Sequence, residues 1–290
     1  MNTVETILSV NHPLAEGPLW HPVEQALYWC AIDANYFYRW QPGSDAVQTT
    51  ELPDQIGCLG FHEAGGFILA TRIGFALYRE GRYTPLTDNI AYRPAAHFND
   101  GAVDRAGRFW AGTSNEKPEN PLYRLDVDGS VTIMEQNTSI SNGIAWSPDS
   151  QTMYYADSGA EQVGIIYAYD YDLASGAIAN RREFFRSDSS HGLPDGLTVD
   201  AEGGIWCAFW DGSKVMHFAA DATIIEEIRL PVPRPTACCF GGVNLDELYI
   251  TTAAWELDLA KYPLAGNIFR VKTNVRGLPE PMAKLDLSLV

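Results

Sequence analysis

The sequence predicts an all-β fold, a six-bladed β-propeller, and three observations support this: a recurring strand–turn–strand segment, the spacing of its copies, and scarce helical periodicity. The clearest copy runs from Ser141 to Ala156, where a short apolar strand, a Pro-Asp-Ser turn and an aromatic-rich strand follow one another. Copies begin near residues 16, 57, 99, 142, 195 and 236. A period of roughly 40 to 50 residues with several short strands is typical of a propeller.

The remaining segments fit this plan in order. Residues Val4 to Val10 read as a strand before the first copy, and Asn267–Val271 and Ala283–Leu287 are strand-like at the far end. Pairing the N-terminal strand with C-terminal strands would close the ring and hide two edges. The longest interval contains a polar insertion around Arg181 to His191, which we interpret as a longer loop. Helical periodicity is confined to one short turn, Leu257 to Tyr262.

Four dipeptides within the copies carry hairpin-turn chemistry. They are Asp128-Gly129, Asp149-Ser150, Gly203-Gly204 and Asp211-Gly212. One blade is too small to bury a core without its neighbours. We therefore expect residues 1–290 to form a single propeller domain.

Composition excludes several functional classes. The chain has 37 acidic and 20 basic residues, a net charge of −17, which disfavours nucleic acid and anionic lipid as partners. No apolar run approaches the roughly 20 residues that span a bilayer. The first ten residues carry an acid and no base, unlike a secretory signal, so we expect a cytoplasmic protein. The five cysteines include no Cys-x-x-Cys pair, which predicts buried reduced thiols.

Polar residues occupy four of the six copy starts. They are Glu16, Asn99 with Asp100, Asn142 and Asp195. We expect each of them to precede the first strand of its copy. In a propeller this is the segment in which the chain crosses from the outer edge of one blade to the axis of the next. Such crossovers open on one face around the central channel, so we expect these side chains to converge there.

A divalent cation would resolve the charge of this cluster. Three carboxylates and two amides in one channel mouth would repel or stay unpaired unless something positive sat among them. Glu16, Asn142 and Asp195 are the predicted ligands. Oxygen donors of this kind suit calcium, magnesium or manganese, and also iron(II) or zinc. Three protein ligands leave positions open for water and substrate, as in catalytic sites. Each residue taken alone is more often a turn residue than a ligand; their shared register with the repeat favours a common site.

Four ordered motifs together resemble the regucalcin, gluconolactonase and luciferin-regenerating family. They are Glu16-Gly17-Pro18-Leu19-Trp20, Asn99-Asp100-Gly101, Ser141-Asn142-Gly143 and Pro194-Asp195-Gly196. Two later segments, Phe240-Gly241-Gly242 and Tyr262-Pro263-Leu264-Ala265-Gly266, look most like the bacterial sugar lactonases of this family. The resemblance implies a six-bladed propeller with one divalent cation in its channel. It places Glu16, Asn142 and Asp195 at the family's metal ligands, and Asn99 and Asp100 near the substrate.

One position departs from the family pattern. Members often carry arginine two residues before the matching asparagine, where this chain has His97. Histidine cannot reproduce the bidentate fork of arginine. Either substrate choice differs, or Arg93 or Arg72 fills the gap; His97 itself reads equally as a rim residue. The loop from Ser114 to Asn120, which follows the third copy, offers two further candidates for substrate contact, Glu116 and Glu119.

We therefore predict a metal-dependent lactonase that hydrolyses a small-molecule sugar lactone, a pentono- or hexonolactone, to the aldonic acid. Asp195 is the predicted general base, while Asn99, Asp100 and His97 orient ring hydroxyls. Two alternatives stay open: a non-catalytic calcium-binding propeller, and a metal-dependent hydrolase of another electrophile such as a phosphotriester. Motifs of serine hydrolases, zinc proteases and nucleotide-binding loops are absent from the sequence.

Overall fold

The computed structural model describes residues 3–32, 34–72, 74–87, 97–115, 119–159 and 163–289. These residues form 24 strands in six four-stranded antiparallel sheets, the blades of a β-propeller, which confirms the predicted fold. Within the same residues no helix is long and apolar enough to cross a membrane. The only helical element that they contain is a 3-10 turn, Leu287–Leu289.

The strands follow the chain in blade order. The N-terminal strand is β1 (Val4–Leu8), and blade 1 comprises β2 (Ala15–His21), β3 (Ala26–Ala31), β4 (Tyr36–Trp40) and β5 (Gln48–Glu51). Blade 2 comprises β6 (Ile56–Phe61), β7 (Phe67–Thr71), β8 (Phe75–Arg79) and β9 (Arg82–Pro85). Blade 3 comprises β10 (His97–Val103), β11 (Phe109–Ser114), β12 (Asn120–Leu125) and β13 (Val131–Thr138).

The second half of the chain repeats this plan. Blade 4 comprises β14 (Ser141–Trp146), β15 (Thr152–Asp157), β16 (Ile165–Asp172) and β17 (Ala177–Arg186). Blade 5 comprises β18 (Leu193–Val199), β19 (Ile205–Trp210), β20 (Lys214–Phe218) and β21 (Ile224–Arg229). Blade 6 comprises β22 (Pro235–Gly241), β23 (Glu247–Thr252), β24 (Ile268–Lys272) and, as its outer strand, β1.

Blade 6 closes the ring as the sequence predicts. β1 pairs antiparallel with β24, with Val4 opposite Val271, so the first strand of the chain completes the last blade. The other C-terminal segment predicted as a strand, Ala283–Leu287, is not one. Ala283 forms only an isolated bridge with His62, and the segment joins no blade.

The insertion in blade 4 is mostly strand and not the longer loop that the sequence predicts. Residues Arg181 to Arg186 belong to β17, so most of the insertion lengthens the β16–β17 hairpin, and only residues 187–192 are loop. The polar side chains find cross-strand partners there: Arg182 pairs with Asp170 at 2.8 Å, and the Arg181 guanidinium lies 3.8 Å from the Tyr167 ring centroid. An outer strand faces solvent, and therefore it accommodates polar residues that a sequence pattern assigns to a loop.

The first strands of the six blades form an inner ring around the axis, each in contact with the first strands of its neighbours. This contact is too close for side chains at certain positions. A Cβ on Gly143 would lie 2.3 Å from the backbone nitrogen of Leu197, and one on Gly196 would lie 2.2 Å from the Cβ of Ala237. Glycine therefore follows the polar residue in β14 and β18 because the neighbouring blade occupies the space of a side chain.

The two ends of the ring differ. The upper face is the end at which the first strands begin, and the lower face is the opposite end. Residues 273–289, the C-terminal strap, cross the lower face. The strap is held by backbone hydrogen bonds to blades 5, 2 and 3: Ala201 N donates to Arg276 O (2.8 Å), Ala283 N to Phe61 O (2.7 Å), and Lys284 N to Gly107 O (3.0 Å).

Candidate active site

The predicted polar residues lie on four inner strands: Glu16 on β2, Asn99 and Asp100 on β10, Asn142 on β14 and Asp195 on β18. They lie inside these strands, not before them as the sequence analysis expected. In β2 the pairing register with the second strand shifts between Glu16 and Leu19. In the other three strands the polar residues lie within the shift itself, which runs from Phe98 to Gly101, from Ser141 to Ile144 and from Pro194 to Leu197. Such irregularities change the direction in which side chains point. Here the polar side chains no longer follow the regular alternation between the two faces of the sheet.

Hydrogen bonds from the following glycine stabilise two of the carboxylates. Gly17 N donates to Glu16 Oε2 at 3.1 Å, and Gly101 N donates to Asp100 Oδ1 at 2.7 Å. A backbone N–H favours the charged form of a carboxyl that accepts from it. Gly101 also permits close packing of the blades, because a Cβ at this position would lie 2.8 Å from Cys58 Sγ of the neighbouring blade.

Four of the predicted residues meet at one cavity of about 190 Å³ on the upper face. Glu16, Asn99, Asn142 and Asp195 supply its polar floor together with Ser158. The rest of the lining is apolar: Leu14, Ile32, Ile140, Leu193 and Trp210. The repeat therefore brings residues from blades 1, 3, 4 and 5 together, although they are far apart in sequence.

The floor of this upper cavity concentrates negative charge out of water. Glu16 and Asp195 are each only 5 % exposed. Burial raises the pKa of Glu16 well above its usual value, and the charges of Asp195 and Asp100 raise it further. Burial likewise raises the pKa of Asp195, with the charge of Asp100 adding to the effect. Like charges so placed favour binding of a positive group.

A hydrogen-bond chain holds the Asn142 amide in one orientation. Asn99 Nδ2 donates to Asn142 Oδ1 at 2.9 Å, and Asn142 Nδ2 donates to Ser158 Oγ. Ser158 Oγ in turn donates to Pro194 O at 2.7 Å, one residue before Asp195. Because an amide oxygen has two lone pairs, Asn142 Oδ1 keeps one acceptor position beyond the Asn99 contact.

The donor set fits a divalent cation. No group of three His, Cys, Asp or Glu side chains that could hold a metal ion occurs in the described part of the chain. The predicted set instead combines two carboxylates, Glu16 and Asp195, with the amide oxygen of Asn142, all lining one cavity. Oxygen donors of mixed charge are the ligands that hard divalent cations prefer.

Asp100 lies apart from the other predicted residues. It lines a second cavity of about 100 Å³, below the floor, together with Arg105 of blade 3 and Glu280 of the C-terminal strap. Burial raises the pKa of Asp100 to about 6. Asp100 is still close enough to both floor carboxylates for its charge to raise their pKa.

The other proposed substrate contacts that the structure describes are not among the residues that line the cavity. His97 begins β10 opposite Ser114 of β11 and is half-buried. Arg72 is exposed, with Nη1 3.4 Å from Gln55 Oε1, and Glu119 is exposed. Arg93 and Glu116 lie outside the described residues.

The sequence did not predict Ser158 and Trp210, which are the polar and the aromatic members of the lining residues that it left out. Ser158 follows β15, and Trp210 ends β19, so both lie where the second strand of a blade reaches the upper face. Ile32 occupies the corresponding place in blade 1. The repeat could have located these positions, but their residue types differ and show no shared motif.

The five cysteines are free and buried, which confirms the prediction of reduced thiols. Two of them support the floor from behind. Cys30 Sγ lies 3.5 Å from Glu16 O, and Cys207 Sγ lies 3.8 Å from Asp195 O. Burial raises the pKa of both thiols well above the usual value, so these cysteines are neutral packing groups.

The fold and the cavity define a six-bladed propeller with a buried, acidic, oxygen-rich site at one end of its axis. Residues 14–254 match the SMP-30/Gluconolactonase/LRE-like region, and the chain belongs to this family. The match contains all the first strands that carry the polar floor.

Individual relatives agree with this assignment over nearly full length. The chain is 37 % identical to a 6-deoxy-6-sulfogluconolactonase of Pseudomonas putida, with 97 % of this chain and 98 % of the relative covered. It is 34 % identical to a pentonolactonase of Haloferax volcanii, with 96 % and 97 % covered. A crystal structure of regucalcin, a calcium-binding protein from Agrobacterium tumefaciens, superposes with a TM-score of 0.92 at 25 % identity, covering 98 % of both chains.

Proposed function

We propose that this protein is a sugar lactonase that uses one divalent cation to open an aldonolactone to its aldonic acid. The observation that carries the proposal is the convergence of Glu16, Asn142 and Asp195 on one cavity floor, where buried carboxylates create a demand for positive charge. The named activities of the sulfogluconolactonase and pentonolactonase relatives support lactone hydrolysis as the chemistry.

Glu16, Asn142 and Asp195 would hold the cation. When bound, a cation of this kind supplies polarisation of the lactone carbonyl and acidification of water. We assign to Asp195 the role of accepting the proton of the attacking water, because its carboxylate lines the cavity beside the other proposed ligands. Asn99 contacts the Asn142 amide and also lines the cavity, so we assign to it the role of orienting a ring hydroxyl or the ring oxygen.

A neutral polyhydroxylated ring suits the cavity. Its volume of about 190 Å³ is close to the size of a single sugar ring, and its lining combines a polar floor with apolar walls. Pentono- and hexonolactones, such as xylono-, arabinono-, galactono- and gluconolactone, are the proposed substrates. Calcium, magnesium, manganese, zinc and iron(II) are the cations to be compared.

The test is acid release from a panel of aldonolactones by protein treated with chelator and then resupplied with each cation. We expect activity to disappear with the chelator and return with cation. Asp195→Asn should lower kcat by on the order of 100-fold or more. Asp188→Asn is the matched control, because this aspartate lies on the upper-face connection to β18 with 66 % of its side chain exposed.

The outcomes separate the proposal from its alternatives. Lactone hydrolysis that is indifferent to chelator contradicts a role for the cation, and full activity of Asp195→Asn contradicts its role as base. A protein that is stabilised by calcium but hydrolyses neither lactones nor a phosphotriester is a non-catalytic binding propeller. Preference for the phosphotriester would assign the same floor to another electrophile.

A further inference from the structure

Trp210 forms a flat wall of the upper cavity. It ends β19 opposite Leu193, and Leu193 is two residues from Asp195 in the neighbouring strand β18. The remaining apolar lining is aliphatic, so Trp210 is the one aromatic ring among the described residues that line this cavity. It is half-buried, so part of its surface is accessible. The indole therefore lies on the strand that pairs with β18, the strand that carries the predicted base Asp195.

Arg234 lies over one face of this ring and is not among the residues that line the cavity. Its guanidinium carbon lies 4.7 Å from the centroid of the Trp210 ring. Arg234 Nε donates to Asp211 Oδ1 at 2.7 Å, and Nη1 donates to the backbone oxygen of Trp255. Because Asp211 and the Trp255 backbone oxygen fix the guanidinium, one face of the indole is covered by a cation that is itself neutralised by Asp211. The ring is therefore held in place, and the covered face is closed to ligand.

We propose that the uncovered face of Trp210 is a stacking platform for the sugar ring, and that Arg234 is the positioning residue that keeps the platform in place. This inference rests on the proposed lactonase function and deepens it. The ring face of an aromatic side chain is negative and attracts the polarised C–H groups on one face of a sugar. Floor residues would then bind the polar edge of the lactone while Trp210 contacts its apolar face.

This arrangement assigns a selectivity to the site. A cyclic lactone presents a continuous C–H face, whereas the open-chain acid product does not. Stacking therefore favours the ring form over the product and assists release. Loss of the platform should weaken lactone binding more than it slows the chemical step, because Trp210 supplies no proton or ligand to the reacting carbonyl.

The experiment compares Trp210→Ala and Trp210→Phe with the matched control Trp255→Phe, with cation saturating. Trp255 lies on the same face and is 41 % exposed, but it does not line the cavity, and it contacts Arg234 only through its backbone oxygen. We expect Trp210→Ala to raise KM for gluconolactone on the order of tenfold with kcat little changed. Trp210→Phe should retain most of the affinity, Arg234→Met should raise KM less than Trp210→Ala, and Trp255→Phe should behave as wild type.

A second readout decides the inference independently of catalysis. Tryptophan fluorescence of the cation-loaded wild type should change saturably with xylose, a stable sugar ring, and Trp210→Phe should lose the change while Trp255→Phe keeps it. If the wild type hydrolyses lactones and Trp210→Ala keeps its KM, the platform is refuted and the proposed function stands. If no lactone is hydrolysed, the proposed function fails, and the fluorescence alone decides the platform: a Trp210-dependent change supports it, and no change refutes it.

Discussion

At the scale of single residues, the hydrogen bonds of Asn142 decide which atom of its amide is offered to a ligand. Asn99 donates to its oxygen, and Ser158 accepts from its nitrogen. An amide that rotated by half a turn would present N–H groups to the floor, next to which a cation could not bind. Ser158 thus acts on the site without needing to touch the ligand.

Ser158→Ala should weaken divalent-cation affinity by on the order of 10- to 100-fold, because groups that orient a ligand typically have effects of this size. The measurement is the rise in Tm with increasing calcium, which reports binding to the folded state. Ser187→Ala is the matched control: Ser187 is also a buried serine on the upper face, it makes two hydrogen bonds to Gly164, and it lies outside the cavity lining. Equal calcium dependence in the two variants would contradict the orienting role of Ser158.

At the scale of elements, the turn between β10 and β11 is held by a buried ionic network. Asp104 is fully buried and accepts hydrogen bonds from Arg108 Nη1 (3.2 Å), Trp110 Nε1 (3.0 Å) and Tyr171 OH (2.7 Å). Tyr171 belongs to blade 4, so one carboxylate joins a hairpin of blade 3 to the neighbouring blade. Asp200 repeats part of this arrangement with Trp206 in blade 5.

Asp104→Ala should lower the free energy of unfolding by about 3–5 kcal/mol, because it removes a buried carboxylate that accepts three hydrogen bonds and leaves Asp126 as the remaining carboxylate beside Arg108. Asp149→Ala is the comparison, since Asp149 lies in the equivalent turn of blade 4 but is exposed, and its hydrogen bonds are to residues of its own turn. That variant should lose about 1 kcal/mol or less. Urea unfolding measures both, and similar losses would show that the inter-blade network contributes little.

The sequence predicts elements best where one residue type recurs in register. Asn142-Gly143 and Asp195-Gly196 combine a polar group with a glycine that close packing of the inner ring requires, so the repeat and the polar positions were recognisable together. Trp210 and Ser158 were not, because their positions recur but their residue types do not. The sequence also could not predict which cavity Asp100 lines, because a register shift in β10 decides which way neighbouring side chains point. Arg181 to Arg186 were assigned to a loop because their cross-strand partners on β16 cannot be read from local polarity.

At the scale of the whole molecule, the C-terminal strap places an acid beneath the axial site. Glu280 lines the second cavity, which lies below the floor of the upper cavity. Burial raises the pKa of Glu280 to about 7 despite the nearby positive charge of Arg105. The folded-state pKa is thus above the value of the unfolded chain, so protonation favours the folded state. Stability contributed by this group is present at low pH and is lost as pH rises toward 7.

Glu280→Gln should therefore leave Tm nearly unchanged at pH 5 and raise it by on the order of 5 °C at pH 8, where wild type carries a buried charge and the variant does not. The melts are recorded with the same saturating cation, so that the upper cavity is equally occupied. Glu202→Gln, an exposed acid on the lower face, is the control and should show no such pH dependence. A difference between variant and wild type that is the same at pH 5 and pH 8 would contradict the prediction.

The pairing of β1 with β24 has a consequence for biosynthesis. A nascent chain that has left the ribosome as far as β23 exposes this strand without its outer partner β24, and β1 is still unpaired. Completion of the blade pairs strands from the two ends of the polypeptide, the strand pairing with the largest sequence separation among the described residues and therefore a costly loop to close. We expect the polypeptide to depend on chaperones until its last residues emerge, and shortening at the N-terminus to yield a product that oligomerises through the uncovered edge.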